Sequence, residues 1–285
     1  MKKFMLVLMF LLAHMSARAE FKIIVPFSPG GAIDVVARNF AAHVERTTGE
    51  SVTVENVLGA GSTVGTRRLV ESSGNVAMVS SSSFYVNITY GTFDAGDFKL
   101  ASTIAESPML LAVPASKKLT CEILRTTSKP MFIGSAGKDS ITSVPTKFVT
   151  DKFKNYTEVP YKGVSQALID LIAGRLDVVF LASKLDRPEL DILANTSMNK
   201  YDGLPSIKEC MGINTPSNSQ WVLVTNKNAS PAFIKRLNEL AQAYVKDPDT
   251  LSLFKERTIR ATATGLEQTN KQYTDELKHW EKILK

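Results

Sequence analysis

Hydrophobic and polar positions along this chain follow two alternating rhythms, short apolar runs and helical spacings. Phe21-Lys22-Ile23-Ile24-Val25-Pro26-Phe27 is rich in β-branched and aromatic residues and breaks at Ser28-Pro29-Gly30-Gly31. Over residues 32–46 the apolar positions Ile33, Val36, Ala37, Phe40, Ala41 and Val44 recur three and four apart, on one face of a helix. Residues 51–54 read as a second strand, and a loop runs through Gly59-Ala60-Gly61-Ser62. A helix over 63–72 and a third strand, Val76-Ala77-Met78-Val79, follow. Strand, loop and helix repeated in succession predict a parallel sheet flanked by helices.

The same grammar continues. Strands are expected at 109–113, 131–133, 176–181 and 221–224, and helices at 164–173, 231–246 and 270–284. Breaks near 112–117 and 214–220 read as two crossings between lobes. The expected α/β architecture therefore has lobe 1 built from 20–113 and 221–285, lobe 2 from 114–220, and a mainly parallel sheet in each. Two crossings leave a cleft, a common place for a small-molecule site.

Lys2 and Lys3 precede an unbroken apolar run from Phe4 to Leu12, and Ala17-Arg18-Ala19 supplies the small residues of a cleavage site. Residues 1–19 are thus expected to be a secretory signal peptide, too short in its apolar part to span a bilayer. Lys2, Lys3 and Arg18 supply half of the formal net charge of +6. The remainder, with its signs interspersed, gives no concentrated basic stripe for nucleic acid. Nothing further along approaches a membrane span, so the exported chain is expected to be soluble. Cys121 and Cys210 would enter an oxidising compartment. Their spacing is compatible with a bridge or with two buried thiols. Neither has a ligand-spaced partner, and no metal or cofactor is expected.

Two loops share one form, a strand, a glycine-rich turn and the start of a helix: Ser28, Gly30, Gly31, Ala32 and Asp34 in the first, Gly59, Ala60, Gly61 and Ser62 in the second. The first N–H groups of a helix lack internal partners and carry partial positive charge, so an anion is their natural occupant. As ordinary turns, the same glycines would serve backbone geometry alone. Asp34 has two readings, stabilisation of the helix end or contact with a ligand's amine or a water. Ser80 and Ser81 follow the third strand at the same sheet edge. The stretch from Gly59 to Gly65 approaches a dinucleotide fingerprint, but its last glycine is one residue late and the ribose-binding acid is missing. His43 and His279 are expected on exposed helix surface. No nucleophile elbow or paired metal-ligand motif occurs, leaving only Ser135 with Lys138 as a hydrolase pattern.

Taken in order, these segments resemble the solute-binding proteins of tripartite tricarboxylate transporters, the Bug family. Ile24-Val25-Pro26-Phe27-Ser28-Pro29-Gly30-Gly31-Ala32-Ile33-Asp34 is similar to its opening V-P-F-x-P-G-G-x-x-D, and Glu55-Asn56-Val57-Leu58-Gly59-Ala60-Gly61 to E-N-R-P-G-A-G. Val159-Pro160-Tyr161-Lys162-Gly163, Gly174-Arg175-Leu176-Asp177-Val178 and Trp221 match later marks. The resemblance implies a two-lobe periplasmic binding-protein fold without catalysis. The first two loops and Ser80 and Ser81 would face Ser135, Ala136 and Ser140 of the other lobe around a small organic carboxylate. It also implies integral membrane transporter subunits as partners; a monomer is expected. Val57-Leu58 in place of arginine–proline, Ser62 in place of glycine, and Leu181 where an acid often stands are departures. A degenerate scaffold with an interaction role and a periplasmic hydrolase are the competing expectations.

Overall fold

The computed structural model describes residues 20–197, 201–215 and 218–285; the expected signal peptide lies outside the described residues. The opening units form as their periodicity predicts. β1 (Glu20–Val25) leads to α1 (Ala32–Thr48), then β2 (Ser51–Asn56), α2 (Thr63–Val70), β3 (Val76–Ser81) and α3 (Ser83–Thr89). α1 buries Ile33, Val36, Ala37, Phe40, Ala41 and Val44, the face that its spacing marked. A left-handed Gly49, φ 72°, ends it, and its N–H caps the Glu45 carbonyl.

β4 (Phe98–Pro108) is followed by five strands of a second sheet: β5 (Leu110–Pro114), β6 (Met131–Ser135), β7 (Tyr156–Pro160), β8 (Val178–Leu181) and β9 (Leu190–Asn195). β10 (Asn218–Asn226) and β11 (Arg260–Ala261) then return to the first sheet, whose order is β11-β4-β10-β3-β1-β2. The second sheet runs β7-β6-β8-β5-β9. The expected parallel pairings are present, β1 with β2 and β3, and β6 with β7 and β8. The rest are antiparallel, so each sheet is mixed rather than mainly parallel. The crossings explain this. The parallel strands point their C-terminal ends at the cleft, and β5 and β10 each enter a sheet from that cleft and must run the other way. We propose lobe limits that follow the sheets, with a first crossing between Pro108 and Leu110 and a second after Asn195.

Between and beyond the strands lie α4 (Cys121–Thr126), α5 (Ser143–Lys152), α6 (Val164–Ile172), α7 (Ile207–Met211), α8 (Pro231–Tyr244), α9 (Pro248–Glu256) and α10 (Leu266–Leu284). Cys121 and Cys210 are bridged and tie α4 to α7 across 89 residues of chain. In lobe 1, Phe40, Tyr244 and Phe254 meet edge to face, with Trp221 against Phe254.

His43 corrects an expectation: it is buried, not exposed. Its Nδ1 lies 2.9 Å from Asp247 Oδ2, which also accepts from Arg46 at 2.5 Å. Burial pushes the Asp247 carboxyl up, but the bonds from Arg46, the Thr250 N–H and His43 outweigh it and hold it at about 2. A depressed carboxyl contributes stability that is complete above its ordinary 3.8 and is lost as the pH falls through about 2. The melting temperature of Asp247→Asn is therefore expected below that of the parent near neutrality, with the gap closing on acidification over that window. A gap that stays constant in acid would show that the ionised form is not the stabilising one.

Candidate functional site

A cavity of about 110 Å3 lies between the lobes. Its lobe 1 wall is the turn after β1, with Phe27, Ser28, Gly30 and Gly31, followed by Ala32 and Ile33 of α1. α1 begins at Gly31 without a side-chain cap. The Gly30 N–H donates to Asp34 Oδ2 at 2.9 Å and that of Gly31 to the Ser28 carbonyl at 3.2 Å. The N–H groups of Ala32 and Ile33 have no acceptor among the described residues. They stand at the positive end of a 17-residue helix, facing the cavity.

Asp34 does not line the cavity. It is buried behind the turn, where it accepts from Arg38 Nε at 3.0 Å and Asn56 Nδ2 at 2.8 Å as well as from Gly30. Burial raises its carboxyl pKa, but those three partners outweigh the effect and hold it below the ordinary range. Asn56 also donates to the Phe27 carbonyl at 3.0 Å. Together these two side chains hold the turn in shape with its amides outward.

The second glycine turn has a different surrounding. Gly59, Ala60, Gly61 and Ser62 all have positive φ, and none lines the cavity. The turn packs on lobe 2 instead: a Cβ placed on Gly61 would stand 2.9 Å from the backbone of Asp139 and Ser140. Asn87 of α3 holds the contact. Its Nδ2 lies 3.2 Å from the Gly61 carbonyl, 2.7 Å from that of Ser83 and 3.1 Å from that of Asp139 in lobe 2. A second interlobe bond runs from the Ile141 N–H to Ser83 Oγ, 2.8 Å.

Ser81 lines the cavity and Ser80 does not, because successive residues of β3 point to opposite faces. From lobe 2, Ala136 and Ser140 contribute to the wall, whereas Ser135 does not. Ser135 Oγ donates to Glu158 at 2.5 Å, and Lys138 is exposed. The Ala136 N–H is already satisfied by Thr142 Oγ1 at 2.8 Å. Sequence reasoning missed Gly163, Val164 and Ser165 at the start of α6, and Leu181, Ala182 and Ser183 at the end of β8. The first group carried a usable signal: Tyr161-Lys162-Gly163 before a helix repeats the form of the first turn. The two turns face each other, since a Cβ on Gly163 would lie 3.1 Å from Ser28 Oγ.

Among the described residues, the lining is mostly apolar and includes no Asp, Glu, Lys, Arg or His. What it presents is main-chain N–H groups and hydroxyls, an arrangement suited to an uncomplicated anion.

Residues 36–285 match the family described as the tripartite tricarboxylate transporter family receptor. The chain belongs to that family. It is 25% identical over 284 residues to the UPF0065 protein of the tcbD-tcbE intergenic region of Pseudomonas sp. strain P51, covering 92% of this chain and 84% of that one. Among solved structures, the periplasmic binding protein BugD superposes with a TM-score of 0.84 at 19% identity, over 93% of this chain and 96% of BugD. An R. palustris protein solved with adipate gives 0.84 at 22% identity over the same shares. These likenesses show the two-lobe fold, and this receptor family's members place the chain among transport proteins.

Proposed function

We propose that the protein is a periplasmic solute-binding protein that captures a small organic carboxylate between its lobes, for uptake or sensing through integral membrane partners. The observation that carries this reading is the uncapped N-terminus of α1, whose Ala32 and Ile33 amides have no acceptor among the described residues and face an interlobe cavity lined by no charged side chain among them. An anion there satisfies those amides and the helix dipole without an arginine. Ser28, Gly30, Gly31, Ala32 and Ser81 form the proposed contact on lobe 1, and Ala136 and Ser140 part of the facing wall. Membership of a transporter receptor family and the adipate held by the R. palustris relative support the reading. For a hydrolase, Ser135 is badly placed, since its hydroxyl is bonded to Glu158 outside the cavity.

A ligand that binds only the folded state raises its melting temperature, by roughly 2.7 kcal/mol of added stability at a hundred times Kd. A thermal-shift panel of carboxylates with their neutral amides is expected to show a dose-dependent rise for an acid and none for its amide. Equal rises for acid and amide would reject the anion site. No rise for any acid, from folded protein free of co-purified ligand, would favour an empty scaffold.

A further inference from the structure

A separate cavity of about 400 Å3 lies where β9 of lobe 2 ends and β10 enters the first sheet. Thr196 lines it on the lobe 2 side, Asn218 and Gln220 at the start of β10, and Glu276 and His279 from α10. Among the described residues it shares no wall with the interlobe cavity. Glu276 ties the last helix to the sheet here. Its Oε1 accepts from Gln220 Nε2 at 2.6 Å, and its Oε2 from Trp280 Nε1 at 3.1 Å. Burial holds its carboxyl above the ordinary 4.5, with Asp275 adding to the rise. The charge of His279 and the bonds from Trp280 and Gln220 oppose that rise without cancelling it.

An independent feature stands beside it. Gln220 Oε1, on the same carboxamide that donates to Glu276, is enclosed and has no donor among the described residues. An ionised carboxylate only accepts, so it cannot answer that oxygen, whereas a protonated acid carries one O–H. The other titratable groups around Glu276 do not compete for the proton. Glu106 of β4 lines the same cavity but is ion-paired with Arg260 of β11. Tyr85 of α3, packed on Tyr273 of α10 at 6.1 Å between rings, is kept protonated by its burial and by the charge of Glu276.

We propose that Glu276 takes up a proton in mildly acidic surroundings and pairs with Gln220 through two hydrogen bonds, a pH-sensitive fastening of α10 to the strand that re-enters lobe 1. The Glu276 O–H then donates to Gln220 Oε1 while Gln220 Nε2 still donates to the acid's carbonyl oxygen. The proton satisfies an acceptor that the carboxylate leaves unanswered. The fastening continues to the cleft through the main chain. The Gln220 N–H donates to Ser82 Oγ at 2.9 Å. Ser82 stands between Ser81 of the interlobe cavity and Ser83, whose Oγ accepts from Ile141 of lobe 2. A carboxyl raised by the fold contributes stability that is complete below its ordinary 4.5 and is lost as the pH rises through its higher folded value. The sign is opposite to that of Asp247, and the window lies above it.

Thermal unfolding of the parent and of Glu276→Gln, from neutrality into mild acid, tests the inference. Glutamine offers the same one-donor, one-acceptor face as the protonated acid. The Tm of the variant is expected at least about 2 °C above the parent's at neutral pH, the scale of one further hydrogen bond, with the gap closing in acid. A variant no more stable than the parent at neutral pH, or a gap that ignores pH, overturns the proposal. Carbon NMR of the side-chain carboxyl and carboxamide groups of the parent gives a second reading that depends on no variant. One glutamate is expected to titrate above 4.5, and the Gln220 carbonyl carbon to move downfield with the same midpoint. Glutamates that all titrate at or below 4.5 overturn the proton uptake. A raised midpoint with an unmoved Gln220 carbonyl overturns the pair and leaves burial as the whole cause.

Discussion

Gly61→Ala is expected to lower ligand affinity by at least about tenfold while the chain still folds. Two costs combine. Gly61 sits at φ 60°, where an alanine is strained by about 1 kcal/mol. Its added Cβ would also stand 2.9 Å from the Asp139 carbonyl carbon and the Ser140 nitrogen, main-chain atoms of the opposite lobe that cannot swing aside. Each 1.4 kcal/mol removed from the contacting state is a tenfold loss of affinity for a ligand that needs both lobes. Gly74→Ala supplies the control, because Gly74 has φ 79° with nothing within 4 Å of a Cβ. Backbone strain alone is therefore separated from obstruction of the lobes. Titration calorimetry on both variants, with small-angle scattering to follow lobe separation, measures the effect. Undiminished affinity in Gly61→Ala would remove this turn from the closing surface.

Loss of the Cys121–Cys210 bridge carries the second large effect. The bond closes 89 residues, so in the chain-entropy account its removal destabilises by roughly 4–5 kcal/mol. For a chain of this size that corresponds to a fall of about 8–10 °C in Tm. α4 lies between two strands of the second sheet and α7 packs against α4 and β9, so the loss is expected to fall on lobe 2 first. The double variant Cys121→Ser, Cys210→Ser, compared with the oxidised parent by denaturant unfolding, tests this. A shared midpoint for parent and variant would show that the bridge contributes little. Unfolding in one step or two will show whether lobe 2 then parts company with lobe 1.

Much of the scaffold was legible because its causes are local. The α1 face is written in spacings of three and four, and the turn before it in adjacent glycines. β4 was not legible. Phe98 and Leu100 enter one core and Ala101, Ile104 and Ala105 the other, so both faces are covered and no polar alternation marks the strand. The sequence alone places His43 at the surface, because a polar residue on a helix is ordinarily exposed. The partner that makes its burial tolerable, Asp247, lies 204 residues further along. Asn87 and Gln220 are common polar residues whose importance comes only from what surrounds them.

The first two glycine turns show the boundary most clearly. Strand, glycines and helix start are encoded within a dozen positions, and chain-local chemistry suffices to place an uncapped helix end at each sheet edge. Their fates differ. The first turn is buttressed by Asp34 and Asn56 and opens on the cavity, while the second is covered by the Asp139–Ser140 backbone and clasped by Asn87. Periodicity is a property of neighbouring residues and survives without a fold. Which turn faces a cavity and which faces a lobe is set by contacts between segments far apart in the chain, and these exist only once both sheets have packed.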